Sequence, residues 1–93
     1  MPQETYTAKR ELIMEPDTIK RMIETGLSGC QATVNGDGSH FEAVVISDEF
    51  AGKNTLARHR MVYATLGDNM QSAIHALSMR TLTNAEWLTS QQG

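Results

Sequence analysis

The stretch that decides the fold runs from Phe50 to Met79, FAGKNTLARHRMVYATLGDNMQSAIHALSM. It opens on a turn, Ala51-Gly52-Lys53-Asn54, where Gly52 tolerates the positive φ that a tight turn requires. Leu56, His59, Tyr63 and Leu66 then recur at spacings of three and four, which predicts a helix with those four residues along one stripe. Gly67-Asp68-Asn69 ends that helix, and Ile74-His75-Ala76-Leu77-Ser78-Met79 reads as a short strand. Two features stand out for chemistry: the basic segment Arg58-His59-Arg60 inside the helix, and the single histidine, His75, where the strand begins.

Upstream, Pro16 and Asp17 mark a helix start. Proline fits the first turn because its missing N–H has no intrahelical partner there, and the aspartate complements the positive end of the helix dipole. Ile19, Met22, Ile23 and Leu27 form its apolar stripe, and Gly26 or Gly29 ends it. Two strand candidates follow, Gln31-Ala32-Thr33-Val34 and Phe41-Glu42-Ala43-Val44-Val45-Ile46-Ser47, joined by the glycine-rich Asn35-Gly36-Asp37-Gly38-Ser39. That composition is a hairpin signal, with a connection long enough to carry function. Downstream, Thr83-Asn84-Ala85-Glu86 has the pattern of a capping box opening a last short helix, anchored by Trp87 and Leu88, with 90–93 as a tail. Residues 1–13 are polar and weakly patterned and read as a flexible N-terminal segment ahead of a single domain over 14–90. The order α-β-β-α-β-α predicts an α+β domain, a three-stranded sheet with helices on one face.

Size and composition narrow the function classes. The 93 residues carry 20% charged and 40% hydrophobic side chains, ordinary for one small globular domain. A net charge of −3 and a pI near 5.5 count against a dedicated nucleic-acid binder, although they leave room for a local basic face. One cysteine, Cys30, excludes an intramolecular disulfide and a four-cysteine metal site within one chain. The absence of an apolar signal core or a membrane-length apolar run makes the cytoplasm the expected location, with no membrane partner. The glycine-rich loop lacks the spacing of a phosphate-binding loop and precedes a strand rather than a helix. No nucleophile–base constellation gathers, so the expectation is a non-enzyme. Met22, Met61 and Met79 read as core filler.

In order along the chain, Gly-Asp-Gly-Ser-His-Phe at 36–41, F-x-G-(x5)-R-H-R-x-V-(x3)-L from Phe50, I-H-A-L-S from Ile74 and T-x-x-E-W from Thr83 resemble the BolA family, and look most like its IbaG-type branch. The resemblance covers Pro16 to Trp87. It implies a class II KH-like arrangement of the same elements. It also implies a role as an accessory or regulatory protein that binds a monothiol glutaredoxin and shares a glutathione-ligated [2Fe-2S] cluster, in cluster trafficking or iron and redox sensing. No cofactor is expected in the isolated chain, which would be a monomer or weak homodimer.

In that family the histidine of I-H-A is the constant cluster ligand, a role that falls on His75. With a cysteine as the second ligand, three thiolates and one imidazole resemble a Rieske site with fewer nitrogens. The second ligand comes from the loop between the first two strands. Here that role falls on His40, with Cys30 as the alternative. Asp37, where some relatives place cysteine, suits a thiolate-rich cluster poorly. The bland reading of His75, a hydrogen-bonded histidine at a strand end, stays open on the residues alone.

The family is also associated with DNA and stress-linked transcription. Lys53, Arg58, His59, Arg60 and Arg80 are the residues that would make a nucleic-acid or partner surface here. Three consecutive helical residues fan around the axis, so Arg58 and Arg60 are most simply solvated charges, with His59 partly packed. Contact with phosphates through so few cations is weak and salt-sensitive. The two roles are compatible if a protein partner covers the same helix.

Overall fold

A computed structural model of the chain describes residues 15–37, 39–67 and 76–92. Helix α1, Pro16–Gly26, begins with proline in its first turn and Asp17 beside it, and buries Ile19 and Ile23. It ends at the first of the two expected glycines, where the Leu27 N–H still donates to the Ile23 carbonyl.

Strand β1, Gln31–Gly36, and strand β2, Phe41–Ile46, pair antiparallel from Gln31↔Ile46 to Gly36↔Phe41. A 3-10 turn, Asp48–Phe50, leads to helix α2, Thr55–Leu66. Gly52 takes φ 77°, the left-handed conformation expected of the turn between them. Strand β3, Leu77–Leu82, lies parallel to β2 in the register Phe41↔Leu77 to Ile46↔Leu82, which completes a mixed sheet of order β1-β2-β3. Helix α3, Asn84–Gln92, follows.

Alternation along the strands explains the layering. Ala32, Val34, Phe41, Ala43, Val45 and Leu77 face the helices and are buried, with Ile19, Ile23, Val62, Leu66 and Phe50 packed above them. Gln31, Thr33, Asn35, Glu42, Ser78 and Arg80 lie exposed between them on the other face. Met22, Met61 and Met79 pack against the core as expected.

Several boundaries differ from the sequence reading. Strand β1 continues through Gly36 because its partner β2 starts directly opposite, at Phe41. Ser47 leaves β2 and caps the 3-10 turn instead, its hydroxyl accepting from the Glu49 N–H. Strand β3 runs to Leu82, three residues past Met79, since Arg80 sits on the open sheet face and Leu82 O still accepts from Ser47 N–H at 2.9 Å. Ile74 and His75, assigned to that strand, lie outside the described residues, and so do residues 1–13. Helix α3 runs through Ser90 to Gln92 rather than giving way to a tail.

The capping box is present in both directions: Glu86 N–H donates to Thr83 Oγ1, and Thr83 N–H donates to Glu86 Oε1. Trp87 is half-buried, but Leu88 is 62% exposed and anchors nothing. Leu56 is likewise 59% exposed, so the expected stripe of α2 holds at Leu66, is half-buried at His59 and Tyr63, and fails at Leu56. The residues facing the core are Val62 and Leu66. Among the described residues, no helix is long and apolar enough to cross a membrane.

Candidate functional site

Because β2 and β3 are parallel, both begin at the same end of the sheet, and antiparallel β1 finishes there. The Phe41 N–H donates to Ala76 O at 2.9 Å, so the chain enters β3 beside the residue that follows His40. His40 is exposed at that end, in a shallow cleft of about 250 Å³ with Asn35, Gly36, Asp37 and Glu42. His75, the residue before Ala76 in sequence, lies outside the described residues.

The backbone of His40 is held from several sides. Asp37 N–H donates to His40 O at 3.1 Å, and His40 N–H donates to Asp37 Oδ1 at 2.9 Å. The same oxygen accepts from Ser39 N–H at 2.9 Å and Ser39 Oγ at 3.1 Å. These bonds, the backbone donors of Ser39 and His40 first, hold the Asp37 carboxyl below the usual carboxylate range. Gly36 adds a steric condition: a Cβ there would lie 2.5 Å from both His40 O and Phe41 Cδ1. Among the described residues the His40 imidazole itself makes no hydrogen bond.

Cys30 sits at the opposite end. It precedes Gln31, whose partner is Ile46, whereas His40 adjoins the Gly36↔Phe41 pair. Six residues per strand separate the two ends by roughly 17 Å at about 3.4 Å per residue. The half-buried thiol has its pKa raised to about 11, by burial first and then by the Glu24 charge. Glu24 in turn accepts from Ala32 N–H at 2.9 Å and from Lys20 Nζ at 2.8 Å, which lowers its own pKa.

The basic residues do not form one patch. Arg58 is not a solvated charge: its side chain is 13% exposed. Its Nε donates to Lys53 O at 2.8 Å and one terminal nitrogen donates to Thr81 O at 3.2 Å. The fork meets Glu86 at 2.7 and 3.1 Å, and the guanidinium lies 5.8 Å from the Phe50 ring centroid. This pair raises the Arg58 pKa and lowers that of Glu86 to about 2, with help from Thr83 N–H.

His59 is half-buried, as expected, with its ring edge-on to Tyr63 at 6.4 Å and 77°. Lys53 and Arg60 are exposed. Arg80 is exposed too, but alternation places it on the sheet face away from α2. Sequence reasoning missed both the Asp37 clamp and the Arg58–Glu86 pair. The first has a local signal, an aspartate two residues before a serine in a turn. The second joins residues 28 apart and has none.

A mixed three-stranded sheet backed by helices, with an exposed histidine where two strands begin, defines a small α+β domain of the class II KH-like kind. The chain belongs to the BolA family: the family described as BolA-like protein matches residues 17–86.

The "DNA-binding transcriptional regulator BolA" of Escherichia coli is 46% identical over 52 residues, which span 56% of this chain but only 50% of that protein. Its Vibrio cholerae counterpart is 35% identical over 92 residues, covering 99% of this chain and 84% of the relative. The "Acid stress protein IbaG" of Escherichia coli is 33% identical across 80% of this chain and 89% of its own, consistent with the IbaG-like branch.

Among solved structures, a bolA protein homologue from Coxiella burnetii superposes with a TM-score of 0.73 at 49% identity, over 82% of this chain and 99% of that one. The BolA domain of SufE1 from Arabidopsis thaliana gives 0.65 at 32% identity, over 76% and 93%.

Proposed function

We propose that this chain is a cytoplasmic BolA-type accessory protein that pairs with a monothiol glutaredoxin and shares a glutathione-ligated [2Fe-2S] cluster with it. The observation that carries this reading is the exposed His40, held at the end of the hairpin where the Phe41–Ala76 hydrogen bond opens β3. His75 precedes Ala76 in sequence and is the second histidine that the reading assigns to the cluster. Neutral imidazole is an apt iron donor when thiolates fill the remaining positions.

A cluster shared with a partner asks only part of its ligand set of this chain. Cys30, the alternative ligand, is disfavoured twice, by its place at the far end of the hairpin and by a thiol that burial keeps protonated. Asp37 is disfavoured because three donors already occupy its Oδ1. The cluster would supply one-electron redox chemistry and transferable iron and sulfide. This chain's part is to offer the His40 imidazole from a backbone held at the sheet edge, with His75 as the second donor the reading calls for. The SufE1 domain among its structural neighbours supports an iron–sulfur setting.

Anaerobic titration into a cluster-loaded, glutathione-bound monothiol glutaredoxin tests the reading. Visible absorption and circular dichroism should change and saturate at one copy per partner, and His75→Ala should abolish the change with the apo fold intact. An unaltered spectrum with the folded wild-type chain would sink it.

A second reading, DNA-binding regulation, is favoured by the BolA relatives known as DNA-binding transcriptional regulators. Lys53 and Arg60 are the exposed cations on the α2 side, while Arg58 is committed to Glu86. Two phosphate contacts would give a salt slope of only about −2 in log–log form. A much steeper slope in a titration with duplex DNA would point to cations outside this pair.

A further inference from the structure

We propose that Asp37 is a positioning residue for His40, fixing where the imidazole stands at the edge of the sheet. The inference rests on the reading of His40 as a ligand and assigns Asp37 a part in it that is not ligation. Both backbone polar groups of His40 are engaged by the same residue, its N–H by Asp37 Oδ1 and its C=O by Asp37 N–H. Ser39 adds two more donors to that oxygen, so the carboxylate is a hub for the turn. Gly36 is packed tightly against the same turn, since the space a Cβ would need is taken by His40 O and the Phe41 ring.

The consequence is a histidine whose main chain is over-determined while its side chain is left exposed. That combination is what a ligand shared between two proteins requires. A free loop would have to lose conformational entropy when the partner arrives, whereas a clamped one has already lost it on folding. Groups behind a metal ligand do the same for ring orientation, and their loss typically weakens metal affinity about 10–100-fold. Here the clamp acts on the backbone rather than on the ring nitrogen. An asparagine can keep the acceptor, and an alanine cannot.

The test compares Asp37→Ala and Asp37→Asn, each alone and combined with His40→Ala, by two measurements. The first uses the isolated protein: amide hydrogen exchange and backbone relaxation at His40. Asp37→Ala should speed exchange several-fold and raise backbone mobility at His40, with Asp37→Asn close to wild type. Unchanged exchange and backbone order in Asp37→Ala overturn the proposal, whether or not a cluster is ever shared.

The second is the glutaredoxin titration. Asp37→Ala should weaken formation of the mixed cluster about tenfold. In the His40→Ala background it should have no further effect. An equal loss in both backgrounds overturns the proposal, because Asp37 would then act on the fold or the partner and not through His40. If the wild-type chain leaves the cluster spectrum unchanged, the functional reading falls, and the exchange and relaxation data alone decide the role of Asp37.

Discussion

Replacing Arg58 by alanine is expected to destabilise the domain by about 3 kcal/mol. Its stem loses about two buried methylenes, each contributing roughly 0.8 kcal/mol, since the side chain is only 13% exposed. The part-buried carbonyl of Thr81 loses a charged donor, costing about 1 kcal/mol. Loss of the cation above the Phe50 ring adds about 0.5 kcal/mol. The ion pair with Glu86 is left out of this sum because the carboxylate side chain is 46% exposed and screened by water.

For a domain of this size, about 3 kcal/mol corresponds to a fall in melting temperature of roughly 12–24 °C. Urea denaturation and thermal melts followed by circular dichroism measure it. Arg58→Met keeps the stem and should recover about half of the loss. Arg58→Lys should remain well below wild type, because one ammonium cannot reproduce a planar fork reaching two carbonyls and a carboxylate. An Arg58→Ala variant within about 0.5 kcal/mol of wild type would refute the reasoning and return Arg58 to the class of surface charges.

Three further outcomes are expected. Leu66→Ala should cost about 2–5 kcal/mol and Leu56→Ala less than about 0.5 kcal/mol, because the first is buried and the second exposed; denaturant midpoints of the two variants check this. Glu86, with a folded pKa of about 2 against an unfolded value near 4.3, stabilises the fold above about pH 4.3 and loses that contribution as pH falls toward 2. Melting temperature between those pH values should therefore drop more steeply for the wild type than for Glu86→Gln. Cys30 should react with iodoacetamide roughly 100-fold more slowly at pH 7 than a free thiol, and accelerate up to about pH 11, since only the thiolate is nucleophilic.

Much of the fold was legible because its signals are local. Pro16-Asp17 starts a helix, Thr83-x-x-Glu86 starts another, and alternation along β1 and β2 fixes which side chains face inward. The failure on α2 has a definite physical cause. Its core-facing line is Arg58, Val62 and Leu66 at i, i+4, i+8, and a stripe that opens on a cation escapes a search for apolar residues. Leu56 and Tyr63 offered a competing apolar pattern, and nothing within the helix decides between the two. The decision comes from Glu86, Thr81 and Phe50, all outside α2. His40 was legible as a candidate, and so was the place of Cys30 ahead of the first strand; the strand register puts the two at opposite ends of the hairpin.

The same register separates the two candidate surfaces. The strand starts at Phe41 and Leu77 share one end of the sheet, where His40 stands. The other end holds Ile46 and Leu82, and from there the chain turns through the 3-10 segment and Lys53 into α2. Arg58 is tied to that end through Thr81 O and Glu86. Lys53 and His40 therefore flank opposite ends of a six-residue strand, roughly 17 Å apart along it. A partner docked on His40 does not have to cover the start of α2. Cluster sharing and phosphate contact, if this chain performs both, are thus separable by mutation.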